Sequence, residues 1–84
     1  MAIYHDLKQI VSKWVEKENS NKRRKQPITK HQILYFDPIK QNKPNWNELR
    51  LVLLITYKTH QVSFTFEANM KKERLYSVSF QFIN

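Results

Sequence analysis

Four adjacent cations, Lys22-Arg23-Arg24-Lys25, form the segment of this sequence best suited to chemistry, and that chemistry is anion binding. Arg presents a planar fork of donors to phosphate oxygens, and Lys presents a compact point charge. The other basic residues that we expect to share this role are Lys30, Lys40, Lys43, Lys71, Lys72 and Arg74. Because four neighbouring cations repel one another and cannot be buried, we expect exposed loops that contact nucleic-acid phosphates. The alternative for residues 22–25 is a solvated linker without a ligand.

The position of the positive charge along the chain is stronger evidence for an anionic partner than the total net charge is. The chain has 84 residues and a formal net charge of +8. Residues 1–18 are neutral overall, residues 19–45 carry +6, and residues 46–84 carry +2. A concentrated excess of this kind favours DNA, RNA or an acidic protein surface as the partner.

Three alternating runs between residues 49 and 83 predict the sheet that positions these loops. Apolar side chains occupy every second position in each run, so each strand has one apolar face. Short polar turns between the runs indicate an antiparallel meander. The predicted apolar rows are Leu53/Phe66/Val78, Ile55/Phe64/Phe80 and Tyr57/Val62/Phe82, with Lys71-Lys72-Glu73 at the second hairpin tip.

One helix and one further strand complete the predicted fold. Apolar residues at three- and four-residue spacing predict a helix over residues 2–18: Ile3, Leu7, Ile10, Val11, Trp14 and Val15. Residues 31–37 predict a fourth strand that pairs with the strand beginning near Leu49. We therefore expect a single α+β domain over residues 1–84. Its N-terminal amphipathic helix packs on one face of a four-stranded antiparallel sheet, with basic loops at 19–30 and 38–45.

The predicted helix also decides how the aromatic residues of the sheet are interpreted. If the helix covers the apolar face, then Phe64, Phe66, Phe80 and Phe82 belong to the core, and Trp14 packs against Phe64 and Phe80. If the face were open, the same rings would form a platform on which bases can stack. The matching lengths of the helix stripe and the sheet favour the core.

Several residue types and patterns are absent from the sequence, and their absence limits the kinds of protein that it can encode. The chain has no cysteine, which excludes disulfides and cysteine-ligated metal. It has no glycine, so we expect positions with a positive φ angle to be occupied by asparagine or to be avoided altogether. It shows neither an apolar run of about eighteen residues nor a leader pattern. We expect a cytoplasmic protein with no cofactor and no membrane contact.

The predicted helix and four strands also allow a catalytic function, which the sequence supports less well than binding. A helix before a four-stranded antiparallel sheet resembles small bacterial ribonuclease toxins, which use histidine, glutamate and arginine on the open sheet face. Arg50 and Glu67 share that predicted face. His60 is roughly 20 Å from Glu67 at about 3.3 Å per residue, too far for joint acid–base work. His31 could replace His60 only if its strand turned the His31 side chain to the open face, so we expect no enzyme. No His-x₃-His, Cys-x₂-Cys or paired-carboxylate spacing appears, so we also expect no metal site.

Three functions remain open. The first is a small basic nucleic-acid-binding module that contacts mainly the phosphate backbone, for example an accessory protein of a phage or mobile element. The alternative is a protein-binding inhibitor or accessory factor that docks on an acidic surface, and the second alternative is the ribonuclease toxin. The strand over residues 75–83 has no glycine, proline or lysine to protect its edge, so we also expect a homodimer or a complex through it.

The four-residue basic run yields a test of the first function. Replacing all four cations of residues 22–25 by glutamine should weaken binding to all nucleic-acid sequences alike. The slope of log affinity against log salt should flatten by up to about three units, since each phosphate contact contributes about −0.9 on duplex DNA and about −0.7 on single strands. Unchanged binding would direct attention to Lys40, Lys43 and the Lys71-Lys72 tip. No binding by the parent protein at moderate salt would favour the protein-binding alternative.

Overall fold

A computed structural model describes residues 2–21, 26–39 and 47–83. The elements in chain order are helix α1 (Ala2–Asn19) and strands β1 (Lys30–Pro38), β2 (Glu48–Tyr57), β3 (His60–Asn69) and β4 (Arg74–Phe82). The strands form one sheet in the order β1-β2-β3-β4, and every neighbouring pair is antiparallel. This confirms the predicted α+β architecture of one helix and four strands.

The carbonyl groups in the last turn of α1 accept hydrogen bonds from the two residues that follow the helix. The Ser20 hydroxyl donates to the Lys17 carbonyl at 2.8 Å, and the Asn21 amide donates to the Glu18 carbonyl at 3.2 Å. These bonds satisfy acceptors that the end of a helix leaves without an intrahelical partner. Lys17 lies in the last turn, where its charge suits the negative end of the helix dipole.

The core lies between one stripe of α1 and the apolar face of the sheet. Leu7, Val11 and Val15 supply the helix stripe, and all three are buried. The central strand β2 supplies Leu49, Leu51, Leu53 and Ile55, each fully buried. Full burial of one such side chain contributes about 1.5–3 kcal/mol, so this contact dominates the stability of a small domain.

The register between β2 and β3 differs by two residues from the predicted one. Tyr57 pairs with His60 and Ile55 with Val62, where the sequence predicted Val62 and Phe64 as their partners. The cause is the turn, which has two residues rather than four. A shift of two keeps every side chain on its predicted face, because side-chain direction has a period of two.

The register between β3 and β4 is confirmed at one end and wrong at the other. Val62 pairs with Phe82 and Phe64 with Phe80, as predicted. Phe66 pairs with Ser77 rather than with Val78, because the register shifts between Thr65 and Phe66. Val78 is therefore the extra residue of a β-bulge, which the alternating pattern alone did not reveal.

The prediction that Phe80 and Phe82 belong to the core is wrong. Their side chains are 60% and 67% exposed, while Phe66 is 1% exposed. A helix with its side chains is about 10–12 Å across, whereas four strands span roughly 15 Å between the outer strand axes. Helix α1 contacts β1 through Tyr4 and Phe36, and it reaches the start of β4 through Lys13 and Glu73. It leaves the second half of β4 open.

The predicted contact of Trp14 with Phe64 is confirmed, but Phe66 takes the place predicted for Phe80. Its ring centroid lies 5.0 Å from that of Phe66 and 6.5 Å from that of Phe64. Phe80 instead contacts Phe64 and Phe82, each at 5.7 Å between ring centroids. The aromatic rings thus form a series that begins in the core at Trp14 and Phe66 and ends exposed on β4.

Among the described residues, two adopt positive φ angles, and neither is the expected asparagine. Lys58 has a φ of 40° in the turn between β2 and β3, and Glu73 has a φ of 51° just before β4. A side chain with a Cβ atom is disfavoured in this region by roughly 1–2 kcal/mol. The chain therefore holds backbone strain at two turns that glycine would relieve.

We expect Trp14→Ala to destabilise the domain by about 3 kcal/mol, the lower end for a buried tryptophan because this ring is half-buried. Urea unfolding followed by circular dichroism measures the change. Tyr4→Ala is the matched control, since Tyr4 is an exposed aromatic residue of the same helix. Equal stability of Trp14→Ala and the parent would show that the packing of α1 does not depend on this ring.

We expect Lys58→Gly to stabilise the domain by about 0.5–1 kcal/mol, because the relief of a positive φ exceeds the added entropy of the unfolded chain. Thr59→Gly in the same turn is the control, since Thr59 has no positive φ to relieve. It should lower the melting temperature or leave it unchanged. A lower melting temperature for Lys58→Gly than for Thr59→Gly would contradict this account of the turn.

Candidate nucleic-acid interface

The predicted phosphate-binding residues divide into three sets. Residues 22–25, Lys40 and Lys43 lie outside the described residues. Lys71, Lys72 and Arg74 lie together, exposed, at the turn between β3 and β4 and the start of β4. Lys30 begins β1 and pairs with Thr56, whose partner on β3 is Gln61. Arg74 pairs with Asn69, so Lys30 and Arg74 lie at opposite ends of the sheet, roughly 26 Å apart along β3.

Side-chain and backbone hydrogen bonds fix the turn that carries Lys71 and Lys72. The Asn69 side-chain oxygen accepts the amide proton of Lys72 at 3.0 Å. The amide of Met70 donates to the carbonyl of Asn47 at 2.8 Å, which ties the turn to the residue before β2. The two lysines therefore extend from a backbone that is held in place.

Two further cations, Lys13 and Lys17, face this turn from α1. With Trp14 on the helix and Arg74 and Tyr76 on β4, they line a surface groove of about 420 Å³, here named the basic groove. Sequence reasoning missed both lysines, because residues 1–18 are neutral in sum. Their four-residue spacing was the available signal, since residues at i and i+4 share one face of a helix.

The electrostatics of the basic groove favour an anionic ligand. Its described lining holds three basic residues, Lys13, Lys17 and Arg74, and one acidic residue, Glu73. The Lys13 Nζ lies 3.3 Å from the Glu73 Oε2, with both side chains more than half exposed. An exposed pair of this kind contributes little to stability, so Lys13 can exchange Glu73 for another anion at small cost.

A pair of hydrogen bonds joins the end of α1 to the chain before β1. The Asn19 Nδ2 donates to the Ile28 carbonyl at 3.1 Å, and the Ile28 amide donates to the Asn19 Oδ1 at 2.8 Å. Ile28 itself is buried in the core. These bonds hold Ile28 beside Asn19, two residues after Lys17 of the basic groove.

The open face of the sheet, opposite α1, does not assemble the groups expected of a ribonuclease. Arg50 and Glu67 pair there, with the Arg50 Nη2 3.7 Å from the Glu67 Oε1. His31 pairs with Ile55 and His60 with Tyr57, which places both histidines on the face that α1 covers. His5 is on α1 itself. All three histidines of the chain are thus separated from Arg50 and Glu67.

The described ranges contain neither a cluster of metal-ligating side chains nor a membrane-spanning helix. No three His, Asp or Glu residues there lie close enough to hold a metal ion. Across residues 2–21, 26–39 and 47–83, no helix has the length and apolar character needed to cross a bilayer. Comparison with protein-family models, curated proteins and solved structures finds no match to this chain.

Proposed function

We propose that this protein binds nucleic acid, chiefly through its phosphate backbone, and that the basic groove is the described part of the binding surface. The observation that carries the proposal is the convergence of Lys13, Lys17 and Arg74 on one groove from two separate elements. A volume of about 420 Å³ falls within the range of small-ligand sites, which is enough for a phosphate and its sugar.

The neighbouring cations extend this surface. Lys71 and Lys72 adjoin Arg74 on the fixed turn, so they can contact phosphates further along the same strand of nucleic acid. Residues 22–25 lie outside the described residues and stay predicted phosphate contacts. Each additional contact releases condensed counterions and raises the affinity at low salt.

The position of α1 supports contacts to the backbone rather than to base edges. Within the described residues α1 is the sole helix, and its apolar stripe is buried against the sheet. Sequence readout in duplex DNA commonly places a helix in the major groove, and α1 is occupied by the core. A small basic module of this kind suits a cytoplasmic accessory protein, such as one carried by a phage or mobile element.

A second candidate function is a protein-binding accessory factor or inhibitor. Its basic groove would meet acidic side chains, and the exposed apolar end of β4 would add area to the contact. The observation that favours it is the exposure of Phe80 and Phe82, because phosphate groups offer such side chains no apolar surface. A ribonuclease has less support, since no histidine shares the face of Arg50 and Glu67.

The test compares two double variants that remove the same charge from different places. Lys17→Gln with Arg74→Gln removes two cations of the basic groove, and Lys8→Gln with Lys58→Gln removes two exposed cations elsewhere. Fluorescence anisotropy with labelled duplex and single-stranded oligonucleotides, over a series of salt concentrations, measures affinity. The groove variant should flatten the slope of log affinity against log salt by up to about two units, and the control should change it little.

Equal losses in both variants would show that binding follows net charge and not the basic groove. Failure of the parent to bind any oligonucleotide at moderate salt would overturn the proposal and favour the protein-binding candidate. Both variants alter exposed side chains, so their melting temperatures should match that of the parent. That measurement separates lost binding from lost folding.

A further inference from the structure

The second half of β4 presents apolar side chains and an unpaired backbone edge to solvent. Its exposed side chains are Val78, Phe80, Phe82 and the adjoining Ile83, together named the exposed β4 strip. Strand β3 pairs with β4 on one side, and no strand of the described ranges pairs with it on the other. An edge of this kind can pair with a further strand.

One hydrogen bond establishes which backbone groups point outward. The Ile83 amide donates to the Gln61 carbonyl at 3.1 Å, so the backbone of Ile83 faces β3. Facing alternates along an antiparallel strand, and the amide and carbonyl of one residue point to the same side. The amides and carbonyls of Phe80 and Phe82 therefore point away from β3, towards the open edge.

We infer that a second copy of this chain pairs with this edge in antiparallel orientation, so that two four-stranded sheets become one continuous sheet. Phe80 of each copy would exchange backbone hydrogen bonds with Phe82 of the other. The two contacts are equivalent under a two-fold axis, which makes the interface closed and self-complementary. The four phenyl rings then become cross-strand neighbours on one face, an arrangement that stabilises paired strands.

The chemistry of the strip favours a copy of itself over a nucleic acid. Residues 75–83 contain no charged side chain, so antiparallel self-pairing brings no like charges together. A surface for single-stranded nucleic acid needs cations beside its aromatic rings. Arg74, the cation of this strand, is six residues before Phe80, roughly 20 Å along an extended chain.

The opposite edge of the sheet lacks this character, although it also exposes apolar side chains. Strand β1 exposes Leu34 and Tyr35, but it carries charge at Lys30 and Asp37 and ends in Pro38. Charged side chains and proline are the usual protection of an edge strand against pairing. The two edges therefore differ, and β4 is the one that accepts a second copy.

The apolar area that the two copies can bury limits the affinity of the dimer. A phenylalanine offers about 150–250 Å², so the exposed fractions of the four strip side chains amount to roughly 400 Å² per copy. With the backbone edge included, two copies approach the lower limit of about 1,000 Å² for a specific interface. The dimer should therefore be modest in affinity and dependent on concentration.

Sedimentation equilibrium over a concentration series tests this inference on the full chain. The parent should shift from monomer to dimer as concentration rises. Phe80→Lys with Phe82→Lys should remain monomeric, because four like charges would meet at the interface. Leu34→Lys with Tyr35→Lys is the matched control, since Tyr35 is 57% exposed against 60% for Phe80 and lies on the opposite edge. The control should dimerise as the parent does.

Amide hydrogen exchange of the parent, followed by NMR, gives a second readout that needs no variant. The amides of Phe80 and Phe82 should exchange quickly at low concentration and become protected as concentration rises. A parent that stays monomeric throughout, or a control variant that loses the dimer as fully as the Phe80/Phe82 variant, would overturn the inference. Protection of these amides by an oligonucleotide in a monomeric parent would also overturn it and identify the strip as a base-stacking surface.

The proposed nucleic-acid function can fail independently of this inference. Lys17→Gln with Arg74→Gln leaves the exposed β4 strip unchanged, so this variant should dimerise like the parent while its oligonucleotide binding falls. Loss of the dimer in that variant would contradict the separation of the two surfaces and overturn the interface as assigned.

Discussion

Burial of the α1 stripe against the central strand β2 is the contact on which the rest of this structure depends. Leu7, Val11 and Val15 meet fully buried side chains of β2, and an 84-residue domain has little other apolar area to stabilise it. The same contact fixes the position of α1, which reaches β1 through Tyr4 and the start of β4 through Lys13. It thereby places Lys13 and Lys17 beside the start of β4 and leaves the far end of β4 uncovered.

The fold could be predicted from the sequence because its two periodicities are strong and consistent. The stripe of α1 and the alternation of β2 and β3 each identify one apolar face, and a face is insensitive to a register error of two residues. The details that failed depend on the backbone instead. A positive φ at Lys58 permits a two-residue turn, and the bulge at Val78 shifts the pairing of Phe66. Neither leaves a periodic signal.

The candidate site was less predictable, because charge and burial arise from elements that meet only in three dimensions. Lys71, Lys72 and Arg74 were recognised as a local cluster, but Lys13 and Lys17 were hidden by the neutral sum of their helix. Alternation likewise showed which face Phe80 and Phe82 occupy and could not show how far one helix extends across that face. How much of the sheet α1 covers depends on the sizes of the two packed elements and on their relative position. The pattern of apolar residues along the sequence does not specify either.

The strand order has a kinetic consequence. Every strand pairs with the strand next to it in sequence, so each hairpin closes a short loop and loses little chain entropy. Sheets built from local contacts fold quickly compared with those that join distant segments. The buried stripe of α1 has its partner only once the hairpins have formed, so we expect docking of α1 to be a late step in folding. Changes in its stripe should then act more on the unfolding rate than on the folding rate.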